Sequence, residues 1–283
     1  MTIDRDTLMS TSLPTRDVDY SEKDVMLYAL SLGLGAAPTD AQELRLVTES
    51  DLHVLPSFAT IITFDIERSI KLGLNRERTL HGEQRISLLR PLPTQGKVRV
   101  RDRVIGVFDK GDKGALVVTQ QTVHDRQDDS LIATTTATIF DRSGGGCGSS
   151  EGEARKPHVV PDRAPDETVD TPTLPQQALL YRLNGDFNPL HSDPDFAKRG
   201  GFERPILHGL CTYGIASVAV LRACGGLDPN MMIEFDARFT APVIPGETLR
   251  TEIWRGDEDV SYRTRALERD VVVLDNGRAM LMG

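Results

Sequence analysis

Three landmarks in the first half of the chain return in the second half, in the same order and at an almost constant distance. Leu27-Tyr28-Ala29-Leu30 stands 153 residues before Leu180-Tyr181-Arg182-Leu183. The stretch from Val54 to Thr60 stands 152 before that from Ile206 to Thr212, and Pro91 stands 151 before Pro242. A repeat of this length constrains the fold more than any local propensity, because whatever one copy builds the other must be able to build. Two such units use up a chain of 283 residues. Between them lies RSGGGCGSSEGEARKP, residues 142–157, a Gly- and Ser-rich run that holds no regular element and reads as a flexible linker. The expected organisation is an N-terminal extension over 1–15, a first domain over 16–141, the linker over 142–157 and a second domain over 158–283.

Each copy reads as helices followed by an antiparallel meander. In the second copy a short helix spans Pro175 to Leu183. Asp193 caps another, with Pro194 at its first position and Gly200-Gly201 at its end. From Leu207 to Ala223 the chain is apolar, with Gly209, Tyr213, Ala216, Val220 and Cys224 at helical steps, which predicts a long buried helix. Strands are expected over Met231 to Phe239, Thr248 to Arg255, Asp259 to Leu267 and Val271 to Asp275, with turns at Pro245-Gly246 and Asp275-Asn276-Gly277. The first copy repeats the order, with strands over Gly82 to Leu89, Gln95 to Asp109, Ala115 to Val123 and Ser130 to Phe140. An α+β fold in which a sheet curls round a long helix buries both. Met231, Met232 and Trp254 read as packing residues.

Composition narrows the function. Thirty-three basic against 42 acidic residues leave a formal charge of -9, which disfavours a nucleic-acid binder, since phosphate contacts need a cationic face. Cys147, Cys211 and Cys224 are odd in number and show no CxxC spacing, so reduced thiols are expected. The chain has no run of 18 apolar residues, and its beginning, MTIDRDTLMS, does not resemble a secretory signal; no membrane span and a cytoplasmic setting are expected. Lys110 and Lys113, in a KGDKG turn, are solvated lysines on the plainer reading, although they can meet a few phosphates.

The copies differ at LNGDFNPLHSDPDFA, residues 183–197. Subtracting 153 maps Asp186 near Gly33 and His191 near Pro38, so only the second copy carries both side chains. Gly185 lets the backbone leave a helix, while Pro189 and Pro194 stiffen the chain on either side of His191. A carboxylate and an imidazole held on one turn can bind one water between them and manage its protons. Further on, Gly209 opens the long helix, where a backbone N–H without a side chain in the way can polarise a carbonyl oxygen. Together these suit conjugate hydration. Taken singly, Asp193 is most simply a helix cap, Asp186 a turn former and His191 a loop histidine. A metal site from Asp186, His191, Asp193 and His208 is the sharper competitor, but its spacing fits no zinc motif.

The segment from Tyr181 to Pro194, YRLNGDFNPLHSDP, followed by Pro205-Ile206-Leu207-His208-Gly209-Leu210, closely resembles the signature of the (R)-specific 2-enoyl-CoA hydratases, the MaoC-like hydratase 2 family. Leu80-His81-Gly82-Glu83-Gln84, Arg90-Pro91-Leu92-Pro93 and Ala237-Arg238-Phe239-Thr240-Ala241-Pro242 also match that family, so the likeness covers all but residues 1–15 and the linker. The resemblance implies a double hot-dog fold of two tandem repeats, each a long helix wrapped by an antiparallel sheet. It implies reversible hydration of trans-2-enoyl-CoA to (3R)-3-hydroxyacyl-CoA. Carried over, Asp186 and His191 activate the water, Asn188 supports them, and the Gly209 amide stabilises the thioester oxygen. His81, Gly82, Lys110 and Phe239 match substrate-binding positions, and a degenerate first repeat leaves room for a bulky acyl chain. No cofactor or metal is implied, CoA being part of the substrate, and a homodimer is expected. Asn184 departs from the pattern by standing where many relatives carry Ser or Thr, and the tail Leu281-Met282-Gly283 carries no SKL-type peroxisomal signal. A biosynthetic or sterol side-chain dehydratase and a non-catalytic acyl-CoA-binding subunit remain as alternatives. A thioesterase is disfavoured by the turn.

Overall fold

The computed structural model describes residues 3–74 and 78–282. In the first copy, α1 (Arg5–Ser10) leads to an edge strand, β1 (Arg16–Tyr20). α2 (Glu22–Ser31) begins where the Asp24 carboxylate reaches back to the Ser21 N–H, and α3 (Ala41–Val47) where Asp40 takes the N–H groups of Gln42 and Glu43. A 3-10 turn over Pro56–Phe58 runs into α4 (Ala59–Ile62), then α5 (Arg68–Lys71). The strands β2 (Thr79–Leu88), β3 (Gly96–Asp109), β4 (Ala115–Asp125) and β5 (Leu131–Asp141) follow. The second copy runs β6 (Glu167–Pro172), α6 (Gln177–Tyr181), α7 (Pro194–Arg199) and α8 (Gly209–Cys224). It closes with β7 (Met232–Phe239), β8 (Thr248–Arg255), β9 (Val260–Ala266) and β10 (Val271–Leu281).

Among the described residues the strands form one antiparallel sheet in the order β1-β3-β4-β5-β2-β7-β10-β9-β8-β6. Read from either end, each strand meets its counterpart from the other copy, so the duplication appears as two-fold pseudo-symmetry about the central pair. There β2 and β7 run from Glu83 opposite Arg238 to Ser87 opposite Glu234. Burial alternates along the strands, as in β4, where Ala115, Val117, Thr119, Gln121 and Val123 point inward. The inner face wraps α8, in which every residue from Cys211 to Leu221 is buried. Gly214 admits α2 to this core: a Cβ there would lie 2.7 Å from Leu32 and 2.8 Å from the Tyr28 hydroxyl. The architecture is the double hot-dog. No helix of the described residues is long and apolar enough to cross a membrane, and the three cysteines are free.

Three local expectations are corrected. The first repeat's long helix is broken, with α4 and α5 in the place of α8. Its sequence runs through the β-branched Thr60-Ile61-Ile62-Thr63, which lowers helix propensity. Its freed carbonyls are taken by arginines: Thr63 accepts from Arg16 and Arg68, and Phe64 from Arg16. Arg68 is itself paired at 2.9 Å with Asp102, 3% exposed on the inner face of β3, so an ionic cluster occupies space that an apolar helix would fill. Asp275-Asn276-Gly277 is not a turn but a bulge inside β10, which stays paired with β7 as far as Leu281. Asn276 takes the left-handed φ of 55°, and Gly277 is required because a Cβ would meet the Tyr262 carbonyl at 2.5 Å. The edge strands β1 and β6 escape the sequence reading because each is short and charged. The Gly- and Ser-rich segment lies along β3, with Ser149 and Ser150 hydroxyls accepting from the Asp109 and Val107 N–H groups.

Candidate active site

The polar turn leaves a 3-10 helix over Arg182–Asn184 through Gly185, whose φ of 110° suits glycine. It re-enters a second 3-10 helix over Pro189–His191 with proline at the first position. Asn188 joins the two ends: its N–H donates to Asp186 Oδ1 at 3.2 Å, and its own Oδ1 accepts the Leu190 N–H at 3.1 Å. Asp193 is spent on the next helix, accepting the N–H groups of Asp195 and Phe196.

His191, 8% exposed, points Nδ1 at the Ile206 carbonyl 2.8 Å away. A carbonyl only accepts, so Nδ1 carries the proton and Nε2 presents a lone pair. Burial lowers the pKa of His191, with the Ile206 carbonyl and Asp186 pulling the other way. The ring is therefore a neutral acceptor around pH 7. Against it stacks His208, ring centroids 3.7 Å apart at 27°. His208 Nε2 donates to the main-chain carbonyl of Asp186 at 3.1 Å.

Asp186, His191 and His208 bring ligand-type atoms within 4.8 Å of one another. The set does not fit a metal. Two imidazoles stacked face to face hold their in-plane lone pairs in nearly parallel planes, whereas ligation at about 2 Å needs them to converge on one point. Asp193, the fourth residue of the competing metal set, caps α7 instead.

Gly209 is the first residue of α8, so its N–H has no partner in the helix ladder. A Cβ here would stand 3.2 Å from the Phe239 ring, so glycine keeps the helix start close to the end of β7. Phe239 in turn meets the first-copy His81, ring centroids 4.7 Å apart. His81 and Gly82 sit at the start of β2, beside a bulge in its pairing with β5. Protein packed round His81, with Arg68 near, lowers its pKa, a pull that is partly screened because solvent reaches much of the residue. Thus Asp186, His191 and Asn188 share one turn, and Gly209, Phe239 and His81 form a contiguous wall drawn from both repeats. Lys110 lies apart in the exposed β3–β4 turn, its N–H bonded to the Gly114 carbonyl.

Sequence reading missed two contributors. The sequence marks His208 as no more than a possible metal ligand. Ser31, fully buried at the end of α2, accepts on Oγ from Asn184 Nδ2 at 2.9 Å and on its carbonyl from Gln177 Nε2 at 2.5 Å, tying the first copy to the chain that enters the turn. A signal was available, since Ser31 and Asn184 are 153 apart, which is the repeat distance itself.

Comparison with known proteins agrees with this arrangement. Residues 18–143 match the MFE-2 hydratase 2 N-terminal domain, and residues 157–276 the MaoC like domain. The chain is 42% identical to 3-hydroxyacyl-thioester dehydratase Y of Mycobacterium tuberculosis, over 92% of each protein. It is 37% identical to peroxisomal enoyl-CoA hydratase 2 of Arabidopsis thaliana, over 95% of this chain and 93% of that one. Among solved structures, a MaoC-like dehydratase from Phytophthora capsici superposes with a TM-score of 0.88 at 32% identity, over 98% of both chains. With its paired repeats and its MaoC-type second half, the chain belongs to the MaoC-like hydratase 2 family of hydro-lyases.

Proposed function

We propose that the protein adds water reversibly across the double bond of trans-2-enoyl-CoA thioesters to give (3R)-3-hydroxyacyl-CoA. The observation that carries this reading is the Asp186 carboxylate and the His191 imidazole brought together on one stiffened turn, a carboxylate oxygen within 4.8 Å of a ring nitrogen, with the Nδ1 bond to the Ile206 carbonyl leaving Nε2 its lone pair. A water between them gives one hydrogen bond to each. Its oxygen bonds to C3 of the substrate, the π pair of the double bond shifts through C2 to the thioester oxygen, and the Gly209 N–H stabilises the negative charge that gathers there. The dyad takes one proton from the water and returns it to C2 as the carbonyl re-forms, leaving the protein unchanged. Delivery of the hydroxyl and the proton from one dyad puts both on the same face of the alkene. Water and thioester supply every atom, so the chemistry calls for no cofactor.

Phe239 and His81 make the wall along which the thioester lies, with Gly82 beside them and Lys110 reaching the CoA phosphates. The dehydration direction uses the same groups in reverse, and the dehydratase name of the Mycobacterium tuberculosis relative favours it as the second reading.

The test is loss of enoyl-thioester absorbance when purified protein meets crotonyl-CoA and a ten-carbon trans-2-enoyl-CoA, with chiral analysis of the product. Formation of the (3R) alcohol is expected. The (3S) product, or no turnover of either substrate together with no dehydration of the corresponding hydroxyacyl thioesters, overturns the reading.

A further inference from the structure

We infer that His208 is the positioning residue of this site, a single imidazole that fixes the Asp186 main chain, backs the His191 ring and begins the helix that offers the Gly209 amide. The inference rests on the dyad proposed above. It starts from an anomaly at the start of α8. Helices recruit Ser, Thr, Asp or Asn at the cap position, where a short polar side chain satisfies a free N–H. His208 occupies that position in α8 and makes no side-chain capping bond. Its main-chain carbonyl accepts the Cys211 and Thr212 N–H groups, while its side chain turns away into the site.

There the ring makes two contacts that belong to the chemistry. Nε2 donates to the Asp186 carbonyl at 3.1 Å, which holds the backbone that carries the carboxylate. The ring face lies 3.7 Å from His191, which together with the Ile206 carbonyl leaves that imidazole little freedom to rotate. The bond to Asp186 also decides the tautomer, leaving His208 Nδ1 without a proton, and that nitrogen is buried with no hydrogen-bond partner among the described residues. A buried, unpartnered ring nitrogen is a cost of the kind that packing for stability alone avoids.

The same environment divides the protons between the two rings. Stacked imidazolium ions repel, so at most one of the pair can be charged. Burial, then proximity to His191, hold His208 down to about 3. The groups that face the pair are Asp186, Arg182 on the preceding turn, and Tyr181, whose ring lies 4.9 Å from that of His208 and whose buried hydroxyl stays protonated. Arg182 adds to the downward pull on His208, whereas the Asp186 carboxylate acts on His191 in the opposite sense. His191 is therefore the ring that takes the proton, and His208 stays neutral beside it.

Two substitutions separate the contacts. His208→Gln keeps an amide donor toward the Asp186 carbonyl and removes the ring. His208→Phe keeps the ring and removes the donor. Each is expected to lower kcat on crotonyl-CoA by about tenfold or more with KM within about threefold, since small misplacements of reacting groups cost that much. In His208→Gln, water reaches the exposed face of His191, so its titration followed by histidine NMR should move to higher pH, and the acid limb of kcat with it. In the wild-type protein, 15N spectra should show His208 neutral as the Nε2–H tautomer down to pH 5 and His191 as the Nδ1–H tautomer. Folded variants with kcat within twofold of wild type, an unmoved His191 titration in His208→Gln, or a His208 that charges above pH 5 would each overturn the inference. The NMR readouts need no substrate, so they still decide the role of His208 if wild-type protein turns over no enoyl thioester, which sinks the proposed reaction alone.

Discussion

The two stretches that reveal the duplication, Leu27 to Gly33 and Leu180 to Asp186, begin alike and end differently. Their tyrosines, Tyr28 and Tyr181, are both fully buried and meet with ring centroids 6.2 Å apart. Three residues on, Ser31 and Asn184 meet through a hydrogen bond. Repeat-equivalent residues thus touch each other across the pseudo-two-fold axis, where each is the other's environment and neither can drift far alone. Past the axis the constraint ends. The second copy leaves through Gly185 into the Asp186–His191 turn. The first leaves through Gly33 and Gly35 toward α3, where Glu43 takes the Gly35 N–H. The difference teaches a division of labour: the paired segments at the axis hold the fold, and each exit is open to a separate use.

The largest expected effect tests that division directly. Asp186→Asn and His191→Ala should each lower kcat by about a hundredfold or more while the circular dichroism and the melting temperature stay near wild type, the range that a positioned acid or base supplies. Pro38→Ala, at the exposed first-copy counterpart of His191, should leave kcat within about twofold. A folded Asp186→Asn enzyme of normal turnover, or a large loss in Pro38→Ala, would erase the distinction between the copies. The pH profile follows from burial. In the proposed reaction the lone pair of neutral His191 is the working form, and burial lowers its pKa. Turnover should therefore hold below the ordinary histidine value of about 6.5 and fall only as the pH drops through the lowered one. An acid limb at or above 6.5 would contradict a buried neutral base.

A smaller effect is expected at the axis. Ser31→Ala removes the acceptor of the Asn184 amide without touching the carbonyl that binds Gln177. The loss should be about 1–2 kcal/mol in the free energy of denaturant unfolding, the usual cost of one buried polar contact, with kcat down several-fold. Asn184→Ala should cost a similar amount, and the double variant less than the sum, because one bond cannot be broken twice. Additive losses would mean that the two residues do not act as a pair and that the copies are coupled elsewhere.

Much of this division can be read from the sequence, and the parts that cannot have physical causes. The inner strands announce themselves by alternating burial, as in β4. The exposed β1 and β6 carry charges at positions that edge strands need and that propensity reads as loop. The polar turn is legible because glycine, prolines and a capping aspartate each have one main structural use, which leaves Asp186 and His191 over. His208 is not legible as more than a possible ligand, since its partners are a main-chain carbonyl and a ring face, which no spacing rule records. The broken first-repeat helix is hidden for a similar reason: its replacement is an ion cluster of Arg16, Arg68 and Asp102, drawn from three separated elements.

The smallest effect belongs to the first copy alone. Lys110 stands on an exposed turn, so any contact with CoA phosphates is solvent-screened and worth little per charge. Lys110→Ala should raise KM for CoA thioesters by about two- to fivefold at low ionic strength, less at high salt, with kcat unchanged, the signature of an interaction made equally in ground and transition states. Set beside Asp186→Asn, which should change kcat and leave KM almost alone, the two variants dissect the enzyme along the line of its duplication. An unchanged KM at low salt would remove Lys110 from the binding face and leave His81 and Gly82 as the first copy's contribution. A fall in kcat instead would mean that the first copy reaches into the chemistry after all.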